Sequence, residues 1–230
     1  MILCGAVVLS VLMHAARSAP IQCNVTKFDE AAGHIIFFAS GTTLPTTSDG
    51  FDKMCNDHAL GALDVANQYV DNCINGLAKG MLKLLMEGAS KEIRTKCTKG
   101  DKGREEYLRL ADCLIPKAGE NLYRCNRRLS GIFEATLVKP KRDRVPLSCC
   151  YMGEYYQCIR KATTVCGPDA QRFAKEVVDS YAGDIMESVC ASLHPESSRC
   201  KALPKLKAVQ PPRFRTLAPS LAEVLASLSK

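Results

Sequence analysis

The chain has 230 residues, 31 Lys and Arg against 24 Asp and Glu for a formal net charge of +7, 47% apolar residues, no tryptophan and 13 cysteines. The apolar fraction supports one respectable core, and the cysteines point to an oxidising compartment and structural disulfides. Zinc is excluded as their purpose, because no C-x-x-C occurs and the histidines after the leader, His34, His58 and His194, stand alone.

Residues 1–18 read as a secretory leader: an apolar run from Ile2 to Met13, too short to span a bilayer, then Ala16 and Ser18 at the small-residue positions before cleavage. Ala19 is the expected mature start. Removing the leader takes Cys4 and leaves twelve cysteines, at 23, 55, 73, 97, 113, 125, 149, 150, 158, 166, 190 and 200. An even count implies up to six bridges, Cys23, Cys55, Cys73, Cys97, Cys113, Cys125, Cys149, Cys150, Cys158, Cys166, Cys190 and Cys200 all being candidates, with the connectivity left open. No second hydrophobic span follows, so no transmembrane segment is expected.

Residues 19–54 form an N-terminal extension. Asn24-Val25-Thr26 is the sole N-glycosylation sequon, which makes Asn24 the candidate glycan site of a glycoprotein. An apolar centre from Ile35 to Ala39 precedes a Thr-rich loop, SGTTLPTTSDG, whose composition carries no apolar period.

Residues 55–200 form the cysteine-rich helical domain. Leu60, Leu63, Ala66, Val70, Ile74, Leu77, Met81 and Leu84 recur three or four apart, which predicts a long core-facing helix capped by Asn56 or Asp57, with a break or close contact near Gly76. A second helix is expected from Arg104, broken or kinked by Pro116, and a third from Gly119 to Val138, followed by a basic, proline-bounded loop, KPKRDRVP, that also resembles a dibasic processing site. Ser148 to Val165 predicts a fourth helix. Gly167-Pro168-Asp169 opens a fifth, which buries Phe173, Val177, Val178, Tyr181, Ile185 and Val189 and ends at Cys190. Adjacent residues on a helix point about 100° apart, so Cys149 and Cys150 are expected to reach two different partners. Residues 201–230 read as an extended basic linker and a short amphipathic tail. There Ser220 and Glu223 match a capping box, and Leu221, Val224, Leu225 and Leu228 share a face that docks or frays.

Charge is unevenly placed. Residues 19–200 carry 24 basic and 23 acidic side chains, whereas residues 201–230 carry six basic and one acidic. Within the domain, residues 124–144 hold seven basic and two acidic side chains, which makes Arg124, Arg127, Arg128, Lys139, Lys141, Arg142 and Arg144 the candidate contact for an anionic protein, glycan or lipid surface. Nucleophile elbows, metal-protease helices, phosphate loops and dinucleotide fingerprints are missing, and the vicinal cysteines lack the His-Asp pair of secreted phospholipases. The sequence therefore predicts no enzyme, no cofactor, no metal and no nucleic-acid partner.

The order from Cys125 to Cys190, with Cys149-Cys150 followed by an aromatic-rich turn, then Cys158, Cys166-Gly167 and a helix closing on Cys190, resembles small secreted cysteine-rich helical proteins of arthropods. The insect haemolymph glycoproteins of similar size are the group it resembles most. The resemblance covers about two-thirds of the mature chain and implies an extracellular, noncatalytic helical protein with no established active-site residues. The Thr-rich segment and the basic tail depart from the pattern.

The reading is an all-α, disulfide-stapled bundle of about five helices, secreted, that binds another macromolecule or serves a structural role in body fluid or a gland secretion. One alternative is a carrier of a small hydrophobic ligand, a fatty acid or sterol, held between helices with Met81, Met86, Met152 and Met186 as an adaptable lining. Another is a toxin-like or processed secretion.

Overall fold

The computed structural model describes residues 23–228, so the expected leader, its cleavage position and Cys4 lie outside the described residues. All regular structure among the described residues is helical, in the order α1 Val25–Ile35, α2 Ser48–Met54, α3 Leu60–Cys73, α4 Gly76–Cys97, α5 Lys102–Cys113, α6 Gly119–Leu137, α7 Lys141–Thr163, α8 Gly167–Ser188, α9 Ser198–Ala202 and α10 Ala218–Ala226. None of these helices is long and apolar enough to cross a membrane.

Seven of them reach eleven residues or more, which corrects the expected count of about five. One difference lies at the N-terminus. The side chain of Asn24 accepts a hydrogen bond from the Lys27 amide at 3.1 Å and starts α1, whose Phe28, Ala31, Ala32 and Ile35 are all buried at helical spacing. Another is the long helix expected from residue 57: Gly76 takes φ 63°, a left-handed conformation available to glycine, and splits it into α3 and α4. The helical run also begins earlier than Asn56 or Asp57. Thr47 caps α2, and a turn of π-helix over Cys55–Ala59 carries the chain into α3. A second π-turn, Leu114–Ala118, surrounds Pro116, which has no amide hydrogen to give an i→i−4 bond, so the axis is interrupted without the chain leaving the helix.

The proline-bounded loop expected before Ser148 is helical from Lys141, with Pro146 inside α7. Asp143 stands in its first turn, where a carboxylate meets unpaired amides, and Arg144 turns back to donate to the Lys139 carbonyl at 2.9 Å.

Six disulfides join these elements. Cys23–Cys73 ties the start of α1 to the end of α3, Cys55–Cys97 joins the first π-turn to the end of α4, Cys113–Cys166 links the end of α5 to the short turn between α7 and α8, and Cys125–Cys158 staples α6 to α7. The vicinal pair divides its partners: Cys149 bonds Cys190 and Cys150 bonds Cys200. These bridges span 33 to 53 residues, and rings of that size stabilise by about 4 kcal/mol each in the chain-entropy account.

After Cys200 the chain neither frays nor wanders. Residues 203–217 run extended over α6 as a strap, and α10 inserts among α1, α4, α6 and α7, burying Ala222, Val224 and Leu225. The expected capping box does not form, because Ser220 donates to Glu134 at 3.3 Å and Glu223 pairs with Arg213. The strap is held at its amides. Asp29 of α1 accepts from Arg215 N at 2.7 Å and from the amide and hydroxyl of Thr216 at 2.9 and 2.7 Å, and Ser130 donates to the Thr216 carbonyl at 3.1 Å. Val209 donates to the Gly131 carbonyl at 3.1 Å, where any Cβ on residue 131 would collide with the Val209 carbonyl oxygen.

Asp29→Ala leaves these donors unpaired in a dry environment and is expected to lower stability by roughly 2–4 kcal/mol. Urea unfolding checks this, and an unchanged midpoint contradicts the anchoring role. Asp29→Asn, which keeps one acceptor oxygen, is expected to lose less.

Candidate functional site

The inner face of α8 borders three apolar voids that abut one another. The largest, ≈ 110 Å³, lies where α1, α4, α7, α8 and α10 converge, against Phe28, Met86, Met152, Tyr181, Ala182 and Leu221. A second, ≈ 60 Å³, sits toward the start of α8 and shares Ile36, Tyr155, Val178 and Tyr181 with the first. A third, ≈ 50 Å³, sits toward its end and shares Leu85, Met152, Ala182 and Leu221. The α8 residues along this line run from Phe173 to Met186, about 20 Å of helix at 1.5 Å per residue. The three spaces thus lie in a row, separated by the residues they share.

The lining is uniform in chemistry. Among the described residues no charged side chain borders any of the three voids. All four methionines expected to line a ligand site are there, Met86 and Met152 at the first void and Met81, Met152 and Met186 at the third. The polar groups on the walls are engaged with protein: Tyr107 donates to the Pro45 carbonyl at 2.9 Å, Tyr181 to the Ile35 carbonyl, and Tyr155 to Asn126 at 3.1 Å. Asn126 in turn donates to the Phe38 and Leu122 carbonyls at 3.3 and 3.2 Å. Ser148 also borders the third void, but its buried hydroxyl, which has no hydrogen-bond partner, presents no polar surface to it.

Outside Leu129 and Tyr155, which also border the largest void, a surface cleft of ≈ 390 Å³ opens between α6 and α7. Its floor is Leu129, Ile132, Tyr151 and the Cys125–Cys158 bridge, and its rim carries Arg128, Glu154, Lys161 and Glu196. The rim charges are partly spent on one another: Arg128 lies 3.3 Å from Glu154, and Glu196 lies 3.0 Å from Lys201.

The seven cations singled out in the sequence do not form one patch. Arg124, Arg127 and Arg128 stand in the first half of α6, whereas Lys139, Lys141, Arg142 and Arg144 lie beyond its end and in the start of α7. Arg127 clasps the strap through the carbonyls of Pro212, Phe214 and Arg215, Arg142 faces Asp143 at 3.7 Å, and Arg124 pairs with Asn121. Asn24 caps α1 through Oδ1, leaving the nitrogen that a glycan would use outside that bond.

Two buried ionic clusters contribute no side chain to the lining of the voids. Arg104 joins α5 to α2 through Asp52 at 2.8 Å and Ser48. Lys96 lies 2.9 Å from Glu92, out of hydrogen-bond alignment on the carboxylate's side, with its ammonium 4.9 Å from the centre of the Phe173 ring. Both tie helices together. Among the described residues no group of three His, Cys, Asp or Glu side chains is placed to hold a metal ion. No protein-family model matches the chain, and no curated protein or solved structure shows significant similarity to it.

Burial pushes the phenols of Tyr107, Tyr155, Tyr156 and Tyr181 well above the ordinary tyrosine value, since each would have to ionise where water is scarce. A pKa raised in the fold gives stability that is complete below the unfolded value, about pH 10, and is lost as pH rises toward the folded values. These four tyrosines are therefore expected to ionise only together with alkaline unfolding. Spectrophotometric titration beside circular dichroism checks this, and their reversible ionisation near pH 10 (about the free value) with native dichroism contradicts it.

Proposed function

We propose that this chain is a secreted, noncatalytic carrier that holds a small or narrow apolar molecule in the line of voids along α8. The observation that carries the reading is the three abutting apolar spaces, the largest ≈ 110 Å³, walled by Met81, Met86, Met152 and Met186. An apolar cavity of about 150 Å³ stays dry and takes up benzene, so spaces of this order accept apolar guests. A larger guest needs the lining to move, and unbranched methionine side chains repack at little cost. Six disulfides support residence in an oxidising, extracellular compartment. The expected leader, the Asn24 sequon and the resemblance to insect haemolymph glycoproteins fit the same setting.

Recognition of an anionic macromolecule through residues 124–144 has weaker support, because those cations divide between the first half of α6 and the turn beyond its end, and Arg127 is occupied with the strap. Release of a toxin-like tail is also less well supported, since α10 would have to leave a core in which Val224 is fully buried.

Benzene is the simplest probe. At ten times its Kd it is expected to stabilise the folded protein by about 1.4 kcal/mol through mass action, read as a rise in unfolding temperature. Ala182→Leu, on the wall shared by two voids, is expected to abolish that rise. No shift for the native chain, or equal shifts for both proteins, contradicts the reading.

A further inference from the structure

Resting on secretion but not on the carrier role, we infer that the Arg142–Asp143 peptide bond is a processing site for a serine endoprotease that cuts after paired basic residues, and that the product is a two-chain protein joined by disulfides. Hydrolysis adds one water across that bond, leaving a carboxylate on Arg142 and an ammonium on Asp143.

The chain contains three adjacent pairs of basic residues, and the fold treats them differently. Arg127 and Arg128 lie within α6, where Arg127 clasps the strap. Arg160 and Lys161 lie in the last turn of α7. There the Arg160 carbonyl accepts from the hydroxyls of Thr163 and Thr164, both at 3.1 Å, and the Lys161 carbonyl accepts from the Thr164 amide. Lys141 and Arg142 stand instead in the first turn of α7, directly after the non-helical residues 138–140. Val138 is 81% exposed and the Arg142 side chain 87%, its ion pair with Asp143 lying at the surface. Lys139 adds a third cation before the pair, so an anionic, planar-ligand pocket meets Arg142 at the end of a basic run.

An endoprotease binds its substrate extended, through main-chain hydrogen bonds, so the first turn of α7 has to unwind before the cut. Two prolines make that turn weak. Pro140, at the N-cap, offers no side-chain acceptor to the free amides. Pro146 has no amide hydrogen, so the i→i−4 bond that would hold the Arg142 carbonyl in the helix does not form. Pro146 also disfavours the helical conformation of Val145 before it. The junction is fastened by the Asp143 amide on the Pro140 carbonyl and by Arg144 on the Lys139 carbonyl, both at 2.9 Å. Unwinding stops where packing begins: Leu147, Cys149 and Cys150 are buried, and the two cysteines are bonded to Cys190 and Cys200.

The frame survives the cut. Cys113–Cys166 and Cys125–Cys158 cross it, while each of the other four bridges lies wholly on one side. The strap and α10, which belong to the second part, pack on α1, α4 and α6 of the first.

The test is to incubate native, disulfide-bonded protein with a catalytic amount of a subtilisin-like endoprotease specific for Lys-Arg pairs, with mass spectrometry before and after reduction. The first cut is expected after Arg142: the intact species gains one water, and reduction yields two polypeptides, the second starting at Asp143. Arg142→Gln, at an exposed position, is expected to slow that cut at least ~100-fold, because the enzyme's pocket for a basic side chain is left unpaired. Pro146→Ala returns an amide to the first turn of α7. It is expected to slow the cut by about 10-fold or more, because the rate follows the fraction of molecules in which the turn is open.

A first cut after Arg128 or Lys161 overturns the inference, as does native protein left whole under conditions that cut the reduced, unfolded chain. So does Pro146→Ala protein cut as fast as the native chain, or a product that separates into two parts before reduction. None of these outcomes depends on whether benzene binds, so the carrier reading stands or falls separately.

Discussion

The buried carboxylate of Asp29 closes the molecule. It accepts from the backbone of residues 215 and 216, joining the first described helix to the last segment of the chain and setting where α10 begins. Apolar burial supplies most of the attraction that seats α10, on the order of 1.5–3 kcal/mol for each fully buried Val or Leu. Burial alone does not set a register, though. The register comes from the hydrogen bonds that the strap makes with Asp29, Ser130, Gly131 and Glu134, nearly all made by fixed backbone groups on the strap side, the Thr216 hydroxyl being the exception. Because Leu217, Ala218 and Leu221 wall the largest void, the interior has its shape only when the strap is in place.

The strap also decides what the basic residues are for. Arg127 directs its guanidinium at carbonyl oxygens of residues 212–215, an arrangement in which a planar, multiply donating cation holds an extended chain that has no neighbouring strand. Tyr151 does the same one stretch earlier, accepting from the Leu206 amide at 2.6 Å. Basicity that looks like a binding surface in the sequence is thus in part an internal fastening. It answers the need of an irregular segment to pair its own polar groups.

Much of the architecture is legible in the sequence wherever a period repeats for several turns. The stripes of α6 and α8, the expectation of two partners for Cys149 and Cys150, and the weakness at Gly76 all follow from spacing and backbone freedom. Other features compete with a stronger local signal. Asn24 reads as a glycosylation site, which hides its second use as a helix cap, although Phe28, Ala31, Ala32 and Ile35 carry the period of α1. Pro116 reads as a break or kink, and the π-turn there is that interruption; Pro146 reads as the boundary of a loop, yet it rides inside α7, where packing outweighs a single lost backbone bond. The candidate site shows the same division. Its methionines stand out as residue types, but nothing in local sequence says that α10 returns to cover them.

An incompletely filled core needs something else to hold the fold. Voids cost roughly 24 cal/mol per Å³ in lost packing, so the ≈ 110 Å³ space alone forgoes about 2.6 kcal/mol, against a total margin of about 5–15 kcal/mol for an ordinary domain. A bundle held by packing alone would relieve that cost by sliding its helices together. Here α7 is bonded to α6 through Cys125–Cys158 and, through Cys149–Cys190, to the segment just after α8, so two walls of the voids keep their spacing whether or not the space is occupied. Each such bridge is worth about as much as the void costs or more, on the order of 4 kcal/mol. The cross-links that make the protein look merely sturdy therefore allow a space that close packing would otherwise remove, and a guest that fills it recovers the missing contacts without any rearrangement of the frame.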